Sequence, residues 1–126
     1  DRLQVRIGTS DRRSHRIISG SDVLIQTSPC PTLTMASKRY GTLPLTARSG
    51  PGREYVVDLD SKLETGSGFL YEPADEGALL GALQRSIAAF NRGAAFESLR
   101  TRVMQLDHSW ERTARLYEHV YGQLTA

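Results

Sequence analysis

Hydrophobic and polar positions change their period several times along the chain, and each change marks an element. Residues 3–7 alternate, apolar at Leu3, Val5 and Ile7, until Gly8-Thr9-Ser10-Asp11 breaks the pattern, which predicts a strand and a turn. Ser10 or Asp11 suits the N-cap of a short helix that carries Ile17 and Ile18 and stops at Gly20. Val23-Leu24-Ile25 is an unbroken apolar run between polar residues, as in a strand buried on both faces. Past a loop with Pro29 and Pro31, residues 33–40 read as a helix ended by Gly41, and residues 42–46 as a third strand. This alternation of strand and helix predicts an α/β fold in which residues 3–7, 23–25 and 43–46 are parallel neighbours, joined by right-handed helical crossovers. Arg48-Ser49-Gly50-Pro51-Gly52-Arg53 then lies at the carboxyl edge of the sheet, where ligands of doubly wound folds bind.

The second half shifts to a helical period. Tyr55-Val56-Val57 is a short apolar stretch, residues 58–68 form a polar loop, and Phe69-Leu70-Tyr71 reads as a last short strand. Three helices should follow. Asp75 caps the first, with Leu79, Leu80, Leu83, Ile87 and Phe90 on one face; Phe96, Leu99, Val103 and Leu106 mark the second. Ser109 caps the third, with Trp110, Ala114, Tyr117, Tyr121 and Leu124 along one stripe, which reads as core. Trp110 and Ala114 are expected to bury against the helix of Leu83 and Ile87.

Composition narrows the classes. Of the 126 residues, 39% are hydrophobic and 24% charged, which is a globular profile rather than a disordered one. Apolar runs stop at a few residues, so no bilayer span is expected, nor a signal or transit segment. The single cysteine, Cys30, fits a reducing compartment, and a cytoplasmic location is expected. Net charge is +2, yet residues 1–53 hold 9 Arg or Lys against 3 Asp, whereas residues 54–126 hold 7 against 11 Asp or Glu. A basic front half suits an anionic small ligand. Nucleic acid fits less well, because no aromatic and basic stripe accompanies the charge.

The run His15-Arg16-Ile17-Ile18-Ser19-Gly20-Ser21-Asp22-Val23-Leu24-Ile25, then Pro29-Cys30, then Arg39-Tyr40-Gly41-Thr42-Leu43-Pro44, resembles the C-terminal domain of bacterial glycogen synthases and plant starch synthases. Gly66-Ser67-Gly68-Phe69 is similar to that family's Gly-Thr-Gly-Phe segment, and Asp107-His108-Ser109-Trp110 to the start of its closing helix. The resemblance covers nearly the whole chain. It implies a partial GT-B C-terminal domain over residues 1–126, Rossmann-like, with helices on both faces of a parallel sheet. Residues 1–74 would be the nucleotide-sugar-binding part and residues 75–126 the closing helices. It further implies a retaining glycosyltransferase that moves glucose from ADP-glucose to an α-1,4-glucan without metal or cofactor. The acceptor would be held by an N-terminal domain, across which the last helix packs. No nucleic acid or membrane partner is implied; without that domain Tyr121 and Leu124 would lack cover, favouring self-association.

Carried over residue by residue, the donor site falls on Ser28, Cys30, Pro31, Thr32, Ser49, Gly50 and Pro51. Several of these depart from the family. Ser28 stands where a Glu holds the donor sugar, Pro31 follows the cysteine where the family has Gly, and a family aromatic falls on Ala36. The family's Thr-Gly-Gly phosphate loop maps onto Ser49-Gly50-Pro51, and proline has no N–H to offer a phosphate. The segment between Ile25 and Pro29 is also a few residues short. An isolated chain of this kind is expected to be inactive, and a degenerate glycan- or protein-interaction domain is the rival reading; a third is a GT-B transferase with another donor. No catalytic residue is assigned. His15 reads as a packed or capped helix residue, Cys30 as an inert, semi-buried thiol, and the three histidines have no metal spacing.

Overall fold

The structure is a computed structural model that describes residues 3–8, 10–28 and 30–124, without the side chains of Glu76 and Arg112. Pro29 of the expected loop lies outside the described residues. The element order is α1 (Asp11–Ser19), β1 (Val23–Gln26), α2 (Pro31–Arg39), β2 (Leu43–Ala47), α3 (Pro51–Tyr55), β3 (Phe69–Tyr71), α4 (Glu76–Phe90), α5 (Ala94–Met104) and α6 (Trp110–Leu124).

The sheet is parallel in the order β1-β2-β3, with Ile25 opposite Leu45 and Leu45 opposite Phe69. Side chains alternate across a strand, so Leu43, Leu45 and Phe69 share one face while Gln26, Thr46 and Leu70 share the other. The first face packs with Ala82 and Ala89 of α4 and Phe96, Leu99 and Val103 of α5 into the main core. The second face meets α2, whose Thr34 hydroxyl donates to Gln26 Oε1 at 3.0 Å. Pro44 is tolerated in the central strand for a local reason. Leu43 N–H donates to Asp22 on the β1 side and Arg48 N–H to Tyr71 on the β3 side, so the donor missing at residue 44 would point toward β3 before its pairing begins.

Caps follow the sequence at both ends of the domain. Ser10 caps α1 by accepting from Arg13 N–H, and Asp75 caps α4 by accepting from Gly77 N–H at 2.8 Å. Gly20 ends α1 with φ −100°, so it acts without the left-handed conformation. Pro31 opens α2 rather than standing in the preceding loop; its missing N–H costs nothing in the first turn.

Five expectations are corrected. Residues 3–7 form no strand: they pair with no described strand, and Leu3, Val5 and Ile7 are exposed, Ile7 by 93%. β1 is not buried on both faces: of its residues only Gln26 is fully buried, and Ile25 is half exposed. On α4 the buried side runs through Ala82, Ser86 and Ala89, with Leu79 and Leu83 half-buried, while Leu80, Ile87 and Phe90 face outward. Small residues let that helix approach the sheet closely. On α6 the stripe is surface rather than core, with Trp110 79% exposed and Ala114, Tyr117, Tyr121 and Leu124 also exposed. Leu106 falls beyond the end of α5.

Candidate functional site

Two loops leave the carboxyl ends of β1 and β2, and because those strands are adjacent and parallel the loops share one edge of the sheet. The first carries Ser28, Cys30, Pro31 and Thr32 into α2; Ser28, Cys30 and Thr32 are exposed and Pro31 is half-buried. The second carries Ser49, Gly50 and Pro51 into α3, with Gly50 exposed and the other two half-buried. Cys30 is exposed, not semi-buried, and its side chain makes no cap hydrogen bond to the first turn of α2.

The second loop is shaped by its glycines. Gly50 has φ 42°, the left-handed region that L side chains avoid, and a Cβ at Gly52 would collide with the Ala47 carbonyl. Gly52 N–H and Arg53 N–H donate back to the carbonyls of Ser49 and Gly50, and Pro51 has no N–H. The amides of Ser49 and Gly50 are therefore the donors of this turn not spent within the described residues.

The flanking cations differ in availability. Arg48 is held by Glu72 at 2.8 Å and Asp58 at 3.3 Å, whereas Arg53 is exposed on α3. Asp58 is a junction that the sequence reading missed: it accepts from Leu70 N–H at 2.8 Å and from both terminal nitrogens of Arg85. Its bonds tie the loop before β3 to α4.

A second missed residue is Lys38, on α2 one turn beyond Thr34. It is only 1% exposed, and its ammonium donates to the Tyr55 carbonyl at 2.6 Å, at the end of α3. Burial lowers its pKa from the ordinary 10.5 to about 8. Nearby in the fold, at the ends of β1 and β2, Gln26 Nε2 and Thr46 Oγ1 are buried with no protein partner among the described residues. A hydrophobic-period reading has no signal for such residues, because Thr34, Ser37 and Lys38 together look like a solvated helix face.

His15 and Tyr40 come together, with the hydroxyl 2.7 Å from Nδ1 and the rings edge to face, on the exposed side of α1 and α2. Two clefts open elsewhere: one of about 420 Å³ bounded by Leu59, Phe69, Arg85 and Arg92, the other of about 440 Å³ bounded by Met35, Ala36, Met104 and His108. Neither is lined by residues of the two loops. Among the described residues no group of three His, Cys, Asp or Glu side chains is arranged to hold a metal ion, and no helix is long and apolar enough to cross a membrane.

No protein-family model matches the chain. It is 39% identical over 124 residues to glycogen synthase 2 of Agrobacterium fabrum, covering 94% of this chain and 24% of that protein. Against the glycogen synthase of Haemophilus influenzae the identity is 35% over 128 residues, covering 97% of this chain and 27% of that protein. Among solved structures, the catalytic domain of starch synthase IV from Arabidopsis thaliana, bound to ADP and acarbose, matches with a TM-score of 0.77 and 28% identity, covering 93% of this chain and 25% of that one. The chain spans about a quarter of the length of the relatives it matches. The parallel α/β fold matches that of a starch synthase catalytic domain, which defines the fold class as GT-B. Within that class the chain is a glycogen/starch synthase-like domain.

Proposed function

We propose that this domain is the donor-binding part of a retaining glycosyltransferase that moves glucose from ADP-glucose to an α-1,4-glucan, the acceptor being held by another domain of the full-length protein. The observation that carries this reading is the pairing of two loops at the carboxyl edge of β1 and β2, in a chain similar to glycogen synthases over nearly its whole length. The first loop, with Ser28, Cys30, Pro31 and Thr32, would face the sugar; the second, with Ser49, Gly50 and Pro51, would offer the amides of Ser49 and Gly50 to the diphosphate. We place the protein in the cytoplasm, consistent with its single exposed thiol.

Affinity of this chain alone should be low. Ser28 supplies no carboxylate to the sugar, Pro51 no N–H to a phosphate, and Arg48 is engaged by Asp58 and Glu72. Losing one or two charged hydrogen bonds, at roughly 1.5 to 3 kcal/mol each, weakens binding by a factor on the order of ten to ten thousand. Calorimetric titration of the chain with ADP-glucose should therefore give at most weak binding, and a micromolar dissociation constant would show that the site lies elsewhere. The same departures at Ser28, Ala36 and Pro51 favour the second reading, a non-catalytic glycan- or protein-interaction domain. Glucose transfer from ADP-glucose by the full-length protein would support the first reading, and its absence the second.

A further inference from the structure

Lys38 is the only charged residue in the buried set among the described residues, and it meets a carbonyl rather than a carboxylate. Burying an ammonium without a counter-charge is unfavourable, so the contact it makes has to matter to the local structure. That contact joins two short helices. α3 has five residues, too few to hold a helix unaided, and the Tyr55 carbonyl at its end has no partner within the helix. The Lys38 ammonium satisfies that carbonyl and places a positive charge at the negative end of the helix. At their other ends α2 and α3 carry the two loops of the candidate site.

We propose that Lys38 is the positioning residue of this site, tethering α3 to α2 through the Tyr55 carbonyl and thereby fixing the turn of Ser49, Gly50 and Pro51 relative to the loop of Cys30, Pro31 and Thr32. This rests on the donor-site reading given above. The tether acts on geometry alone: Lys38 is buried on α2 and reaches the end of α3, not its start. Gly52 adds the second constraint, because its backbone lies against the Ala47 carbonyl and leaves α3 one seat on β2, which the lysine then holds shut.

The test compares the chain with Lys38→Met, which keeps volume and removes the donor, and Lys38→Arg, which keeps a donor. Amide exchange would be followed at Gly52, Arg53 and Val56, thermal unfolding recorded, and ADP added while the amides of Thr32, Ser49 and Gly50 are watched by NMR. The expected result is that Lys38→Met speeds exchange of the α3 amides about tenfold or more without lowering the melting temperature, and weakens ADP binding about threefold or more, while Lys38→Arg restores slow exchange. Unchanged α3 exchange in Lys38→Met would overturn the tether. Faster exchange with undiminished ADP binding would overturn the positioning role. If ADP shifts none of the three amides even in the unsubstituted chain, the donor-site reading fails and this inference with it, whatever the exchange shows.

Discussion

A lysine amine that exchanges water for one carbonyl loses hydration without gaining a counter-charge, and the linked equilibrium gives Lys38 a pH signature. Its pKa is about 8 in the folded chain, below the ordinary 10.5, so between those values the unfolded state binds more protons. Below pH 8 both states are protonated and the burial cost is fully present; stability then rises with pH from about 8 to about 10.5, by an upper bound of about 3 kcal/mol. Urea unfolding across that window should show the rise in the native chain and not in Lys38→Met, which should also be the more stable of the two at pH 7. A flat profile in the native chain would show that water reaches the amine. Asp58 makes the opposite case, since its charge is answered by Arg85, Arg48 and the Leu70 amide. Asp58→Ala leaves Arg48 with Glu72 and Arg85 with the Leu70 carbonyl but strips the Leu70 amide of its acceptor, and should cost about 1 to 2 kcal/mol in the same unfolding experiment; a loss below about 0.5 kcal/mol would show the junction to be ornamental.

Elements were legible where their signal is local and opaque where it depends on a neighbour. The Ser10 and Asp75 caps, the strand of Phe69, and the Phe96, Leu99 and Val103 face of α5 all followed from spacing. Residues 3–7 alternate as a strand should, but a strand needs a ladder partner, and alternation cannot say who that partner is. Sequential strands neighbour each other only about two times in three, and in the doubly wound order 3-2-1-4-5-6 the third and fourth strands are far apart. Ile7→Lys should accordingly change stability by less than about 0.5 kcal/mol, whereas Ile18→Ala, buried where the Thr42 hydroxyl meets its carbonyl at 2.6 Å, should cost about 2 to 4 kcal/mol. Equal losses would mean that residues 3–7 are covered after all. On α4 the large side chains drew the expectation to Leu80, Ile87 and Phe90, although close packing on a sheet selects the small Ala82, Ser86 and Ala89. The turn of Ser49, Gly50 and Pro51 was legible as a candidate from its position after an apolar run, and the loop of Ser28, Cys30, Pro31 and Thr32 became a candidate through the family resemblance; Lys38 and Asp58 gave no such signal, because partners distant in sequence define their roles.

At the scale of the whole molecule, the core lies between the sheet and α4 and α5, while α6 stands apart with Trp110, Leu116, Tyr117, Val120, Tyr121 and Leu124 exposed along it. So much uncovered apolar surface favours association or fraying. The solution mass of the chain should rise with concentration, and amide exchange should be fast toward Leu124; a strict monomer with uniform protection to Leu124 would contradict this. Removing residues 110–126 should abolish the association and change unfolding free energy by less than about 1 kcal/mol, since few described contacts are lost. The account turns, finally, on the carboxyl edge of β1 and β2 being the place where an ADP-sugar meets this domain. The most direct measurement is an NMR titration of the labelled chain with ADP-glucose at millimolar concentration. Progressive shifts should appear at the amides of Thr32, Leu33, Ser49 and Gly50. Shifts confined to the cleft of Leu59 and Arg92, or to that of Met35 and Met104, would contradict it.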